Sequence, residues 1–418
     1  INTIVLGQPS SENGLGSVSV LEYNGSEWIQ KGQTLVGTNL DLADAQDNFG
    51  FAVALGDENV FAASSIHSDD SYEVCGDWEL VIEWQCPAWP FWCPGWVTYP
   101  YIPCSDVPVN DKGVVNIYEW NGNQWTQKGE SIWGQYEYDE SGDNLIMPDA
   151  NTIAISSSNS GTSESGAIGH IRVFSWQNDA WEEKGNPIYG DLYGDFVGNL
   201  MQMPHADTMY VAFEAQHKIS QFTWDGLSWE STNVELTPEE LILDFSMQSA
   251  TVVALATTQD VRIYDLENDT WVQRGPSVVC EQCSVEVGDE NTFVVSDGSM
   301  ISLYRWQGNQ WVKKTDKIHS NEGIKMNNPN FVFTNNAAFE FVNDSIEDGC
   351  ELTAVLNVEV NSASLMGCTD YHACNYDASL ICDDGSCEYL PGDFNGDLVI
   401  SVSDMLLLLA EFDCYAPA

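Results

Sequence analysis

Apolar and polar positions alternate in short runs along most of the chain, as in VVNIYEW (114–120) and HIRVFSW (170–176), the period of half-buried β-strands. Each such run enters a recurring seven-residue pattern: EYNGSEW (22–28), EWNGNQW (119–125), SWQNDAW (175–181), TWDGLSW (223–229), DLENDTW (265–271), RWQGNQW (305–311) and a degenerate EFVNDSI (340–346). Asn-Gly, Asp-Gly or Asn-Asp at its centre supplies the positive φ of a tight turn, so the pattern predicts a hairpin closed by flanking aromatics. A second strand–turn–strand signature precedes each later copy, as in ALGDENVFAASS (54–65), MPDANTIAISSS (147–158) and VGDENTFVVSDG (287–298). Two hairpins per repeat make a four-stranded unit. The pattern ends are spaced 97, 56, 48, 42, 40 and 35 residues apart, and apart from the first these match a propeller blade. The expected fold is mainly β, a seven-bladed β-propeller over residues 1–362. Its first repeat begins at NTIVLG, in register with a second strand; either a segment within CELTAVLNVEV (350–360) closes the ring or further N-terminal sequence does.

The 97-residue spacing marks an insertion at 66–112 in the second unit, centred on CPAWPFWCPGW (86–96). Cys75, Cys86, Cys93 and Cys104 space as C-x10-C-x6-C-x10-C, which suggests a loop held by two disulfides with three possible pairings, 1–4/2–3 being preferred. Trp78, Trp84, Trp89, Phe91, Trp92 and Trp96 are too many for so short a core. They either cap the propeller or form an exposed partner-binding patch.

Charge narrows the function. Sixty-four acidic residues against 13 basic ones give a formal net charge of −51, which repels phosphate backbones and anionic lipid and excludes nucleic acid as a partner. Carboxylates in that number suit salty water or divalent cations such as Ca²⁺. No apolar stretch is long enough to span a membrane. Twelve cysteines (the four above, Cys280, Cys283, Cys350, Cys368, Cys374, Cys382, Cys387 and Cys414) in Pro/Gly-rich contexts indicate disulfides and an extracellular or cell-surface location. The start at INTIVLG reads as a processed or partial secreted chain. Sequons at Asn24, Asn268 and Asn343 fall in the hairpin pattern, at a frequency chance supplies. Lys31, Lys128, Lys184 and Arg274 recur at one position (WIQKG, WTQKG, WEEKG, WVQRG). They read as protection of an outer edge strand against pairing, in preference to a cationic ring.

The combination of GSVSVLEYNGSEWIQKGQTLVG and DNFGFAVALGDENVFAAS resembles the FG-GAP-like propeller repeats of secreted marine Bacteroidota proteins and some algal surface proteins. The DNFG at 47–50 becomes DFVG at 195–198 and then disappears, and no blade carries the D-x-D-x-D-G calcium loop of integrin-type repeats. Asp41, Asp44 and Asp47 are the nearest substitute and read as a solvated loop. GCTDYHACNYDASLICDDGSCEY (367–389) resembles a small Cys-rich module of such proteins, placed at 366–390. GDFNGDLVISVSDMLLLLAEF (392–412), within 391–418, resembles half a dockerin. Asp393, Asn395, Asp397, the Val399 carbonyl, Ser401 and Asp404 then stand at calcium-loop positions. The resemblance further implies a tail associated with type IX secretion.

Motifs of serine hydrolases, zinc proteases and P-loops are absent, and the six histidines are dispersed. C-E-Q-C at 280–283 lacks a βαβ setting and reads as a structural disulfide. A carboxylate pair drawn from 64 leaves no spacing signature. The expected function is therefore a non-catalytic propeller for adhesion, matrix or assembly into a surface filament, with calcium as cofactor and protein, including itself, or glycan as partner. The alternative is a carbohydrate-binding or glycan-processing propeller.

Overall fold

The computed structural model describes most of the backbone of residues 3–357, with its longest gaps at 38–46, 85–95 and 342–351, and the short strands Met366–Gly367 and Cys382–Asp383. Side chains are described within 3–68 and 111–314.

Among the described residues, seven antiparallel sheets of four or five strands follow one another along the chain. The second runs Val53–Asp57, Val60–Ser65, Val114–Trp120, Trp125–Gln127, and the third Leu145–Asp149, Thr152–Ser157, His170–Gln177, Ala180–Glu183. The fourth is Met201–His205, Thr208–Phe213, Lys218–Trp224, Trp229–Leu236. The fifth opens with Ile242–Ser249, the sixth with Ser284–Asp289 and the seventh with Ile324–Asn328. First strands of successive sheets lie side by side, so the sheets pack face to face around these inner strands. Each core layer is shared between neighbours. Ala62, Val115 and Ile117 of the second sheet meet Leu145, Met147 and Ile153 of the third, and Ala154 and Val173 of the third meet Met203, Met209 and Val211 of the fourth. Strands buried on both faces explain VFAASS, TIAISS and VVALAT, whose six residues are buried throughout instead of alternating.

The predicted hairpins form with two kinds of turn. Asn178-Asp179 and Asn268-Asp269 have positive φ at both positions, a two-residue turn whose twist matches the strands. Asn121 and Asp225 start longer loops, and their carboxamide or carboxylate oxygen accepts the N–H groups two and three residues on. In both kinds the aromatics pair across the strands: Trp120↔Trp125, Trp176↔Trp181, Trp224↔Trp229.

Those tryptophan pairs correct the reading of the basic residues as edge protection. Lys128, at the end of the second sheet's outer strand, projects into the third sheet. Its ammonium donates to the Ala150 carbonyl (2.8 Å) and Asn151 Oδ1 (3.1 Å), and lies 5.1 and 5.4 Å from the Trp176 and Trp181 ring centroids. Trp181 Nε1 returns a bond to the Lys128 carbonyl, and Gly129 is so close to Trp176 that a Cβ would stand 2.6 Å from Cζ3. Lys31 with Trp120/Trp125 and Lys184 with Trp224/Trp229 repeat the arrangement, and Arg274 with Trp311 keeps its main contacts. The recurring cation is an inter-sheet plug.

The expected ring-closing segment also takes another place. Leu352–Asn357 pairs with Ala337–Phe341 as the fourth strand of the seventh sheet, because its own hairpin partner is nearer than the first sheet. Thr3–Gln8 is the second-strand equivalent, as the register with Ser17–Tyr23 requires.

Candidate functional site

Four antiparallel strands in meander order place the second-to-third loop of each sheet at the same end as the connection leading to the next sheet. That end gathers the residues 134–144, 190–200 and 214–217. A repeated D-x-x-G shapes the connections: Asp47, Asp139 and Asp195 are buried, while Gly50, Gly142 and Gly198 take the left-handed φ the bend requires. Asp195 Oδ2 accepts from the Asp191 and Leu192 N–H groups and from Gln216 Nε2. Asp47 is thus part of a buried loop tie, which corrects the reading of a solvated loop; Asp41 and Asp44 lie outside the described residues.

A chain of polar side chains lines this end beside the inner strands. Asp143 accepts from both the N–H (2.8 Å) and the hydroxyl of Ser158, and from the Ser156 hydroxyl. Next to it, Asn144 Nδ2 donates across to the Asn199 carbonyl at 3.1 Å, and Asn199 Nδ2 donates to Glu214 Oε1 at 2.6 Å. Glu214 opens a single 3-10 turn, Glu214–Gln216, anchored by its N–H on the Asp195 carbonyl. Burial pushes its carboxyl above the usual carboxylate range, against the opposing bond from Asn199. His217, in left-handed conformation, closes the turn with Nδ1 3.2 Å from the Glu239 carbonyl. Deeper along the inner strands, Gln202 reaches the Phe245 carbonyl and Ser246 bonds Glu286, stitching the fourth, fifth and sixth sheets together. Exposed Tyr136, Tyr138 and Tyr193 flank the rim on the connections at either side of the third sheet, and exposed Tyr189 ends that sheet's short strand Ile188–Tyr189. Tyr138 holds φ 59°, costly for a bulky residue.

Of the site residues singled out from sequence, Asn24, Asn268, Cys280 and Cys283 have described side chains, and none belongs to this chain of polar groups. Trp84 and Trp96 end paired strands, Glu79–Trp84 and Trp96–Tyr101, and Cys75 stands opposite Cys104 in a second pair, but their side chains are not described. Trp78, Trp89, Phe91, Trp92, Cys86 and Cys93 lie outside the described residues, as do Asn343, Cys350, Cys368, Cys374, Cys387, Cys414 and the calcium loop Asp393–Asp404. Cys280 and Cys283 form a disulfide, with Cα atoms 6.0 Å apart. Asn24 and Asn268 sit in hairpin turns as expected. Asp143, Asn144, Asn199 and Glu214 were missed, because single carboxylates and amides in loops carry no periodic signal.

No protein-family model matches this sequence, and no curated protein does so either. Solved structures do. A candidate 6-phosphogluconolactonase from Bacteroides uniformis aligns over 84% of this chain and 94% of its own, with TM-score 0.53 and 8% identity. The periplasmic gluconolactonase of Pseudomonas aeruginosa aligns over 81% and 91%, with TM-score 0.50 and 10% identity. The chain is a β-propeller. The likeness reaches neither FG-GAP repeats, the Cys-rich module nor a dockerin half. It also corrects the expected function: the solved propellers this chain resembles are named as lactonases, so the reading of a non-catalytic adhesion or assembly protein, and of no enzyme, is set aside.

Proposed function

We propose that this propeller is an exported hydrolase that opens a sugar-derived ester ring, a sugar lactone. The names of its structural neighbours support the reaction class. The observation that carries the residue assignment is Glu214, a half-buried carboxyl with raised pKa, held by Asn199 at the rim of the inner strands. As general base Glu214 takes a proton from water, and the water oxygen bonds to the lactone carbonyl carbon. The ring C–O bond then breaks, and the departing alkoxide takes the proton, leaving an open-chain hydroxy acid. The exposed tyrosines supply stacking faces for a sugar ring. The acidic surface and the Asp143 carboxylate favour a neutral lactone over a phosphorylated one.

The test is hydrolysis of glucono-1,5-lactone and of its 6-phosphate, followed by pH-stat. The neutral substrate should turn over with the higher kcat/KM, and Glu214→Gln should lower kcat by about 10²–10³-fold. Absence of turnover above the spontaneous rate on a panel of neutral sugar lactones, or an unimpaired Glu214→Gln, overturns the assignment. Calcium at Asp393, Asn395, Asp397, Val399, Ser401 and Asp404 belongs to the same proposal as a stabiliser of the tail, removable by EDTA.

A further inference from the structure

Between the second and third blades, four buried polar atoms have no hydrogen-bond partner: Asp139 Oδ1, Ser141 Oγ, Ser157 Oγ and His170 Nε2. All four residues are buried to about 1% exposure. They belong to one place. Ser157 and His170 are cross-strand partners, so their side chains share a face. Asp139 and Ser141 flank Glu140 in the connection that arrives there, and the next residue, Gly142, donates to the Ser156 carbonyl. A Cβ placed on Gly134 would lie 3.0 Å from Ser141 Cβ and 3.2 Å from Asp139 Cβ, which puts those two side chains together.

The equivalent aspartate one blade on, Asp195, also leaves its Oδ1 without a partner, but its other oxygen is fully engaged. Asp195 takes three N–H bonds on Oδ2, one of them directly from Gln216 at 2.9 Å. Asp139 has one, from the Gln135 N–H, and His170 Nε2 stops 3.8 Å from its Oδ2. That separation is too long for a hydrogen bond, yet an ion about 2.1 Å from each atom spans it. A bridging water would span it as well but would leave a buried carboxylate charge uncompensated. The nearby Arg172 is directed to the Trp133 carbonyl and Glu183.

We infer that the buried cluster of Asp139, Ser141, Ser157 and His170 is a binding site for a first-row divalent cation such as Zn²⁺ or Mn²⁺. One carboxylate oxygen, one imidazole nitrogen and two hydroxyl oxygens form a mixed set that an oxygen-seeking ion such as Ca²⁺ fits less well. Ser160 Oγ lies 2.6 Å from His170 Nδ1. When Nδ1–H donates to it, the lone pair of Nε2 faces Asp139, the tautomer a metal ligand needs. The site shares no residue with the Glu214 rim and does not rest on the lactonase reading. Among the described residues no three His, Cys, Asp or Glu side chains converge, so serine hydroxyls complete this set.

The full chain, stripped with EDTA, is dialysed against Zn²⁺ or Mn²⁺ in physiological salt with excess Mg²⁺ and Ca²⁺ to occupy surface carboxylates. Bound metal is then counted by mass spectrometry and melting followed by near-UV circular dichroism. Wild type should hold one equivalent more than His170→Gln or Asp139→Asn and should melt higher with metal than without. Should those variants fail to fold, Ser160→Ala keeps all four ligands and should weaken binding about 10–100-fold. Metal content and melting temperature equal in wild type and all three variants would overturn the site and leave a bridging water in its place.

Discussion

Replacing Lys128 by methionine separates the inter-blade plug from edge protection. Methionine keeps most of the stem that covers Trp176 and Trp181 but removes the ammonium. Lost are two charge-assisted bonds, to the Ala150 carbonyl and Asn151 Oδ1, each about 1.5–3 kcal/mol, and the attraction to two indole faces, about 1–2 kcal/mol. Against this stands relief of the ammonium's burial, which already lowers its pKa despite Glu119, Asp57 and Asp149. The net cost should be about 2–3 kcal/mol, since the Ala150 carbonyl is left unpaired. With unfolding entropy of about 2.1 cal/mol/K per residue over roughly 310 propeller residues, Tm should fall by about 3–5 °C. Calorimetry reads this directly. Two glycines provide the control. Gly122 (φ 95°) has open space around it, whereas Gly129 (φ 82°) faces Trp176. Alanine at either position incurs the left-handed cost of about 1–2 kcal/mol, and only Gly129→Ala adds an overpacking cost of about 1–3 kcal/mol. If Lys128→Met melts with wild type while aggregating faster, the lysine is edge protection and the plug reasoning fails.

Two further outcomes are expected. The junction of the fourth and fifth blades lacks a plug lysine, and the buried Tyr210 hydroxyl bonds the Ala250 carbonyl there, the position Ala150 holds for Lys128. Tyr210→Phe should therefore cost about 1–3 kcal/mol in urea unfolding, and a loss under 0.5 kcal/mol would deny the equivalence. The folded pKa of Glu214 lies above its unfolded value, so its contribution to stability is complete below the unfolded carboxylate range and is lost as pH rises through the raised folded pKa. Stability should decline with pH across that window less steeply in Glu214→Gln, while kcat/KM of wild type climbs as the base ionises; identical stability slopes in the two proteins would contradict the assignment.

The blade plan was readable because it is periodic. Alternation, Asn-Asp turns and the Trp-x4-Trp spacing are local, and each recurs often enough to be counted. The lysine position was equally visible, but its meaning was not, since the indoles it meets are 48 and 53 residues further along the chain. The rim is less legible still: Asp143, Asn199 and Glu214 have no common spacing, and only the meander topology carries their loops to one end. The same applies to Asp139 and His170, two of many acids and dispersed histidines until a strand pair and a D-x-x-G bend bring them within 3.8 Å.

Strand periodicity, turn chemistry, the acidic surface and the local Cys280–Cys283 bridge were all present in the chain before it folded, because each depends on residues a few positions apart. Which cation enters which indole pair, where Leu352–Asn357 pairs, and which buried carboxylates are left short of partners depend on contacts between blades. Such contacts join residues with no fixed sequence separation, so the packed sheets alone determine them.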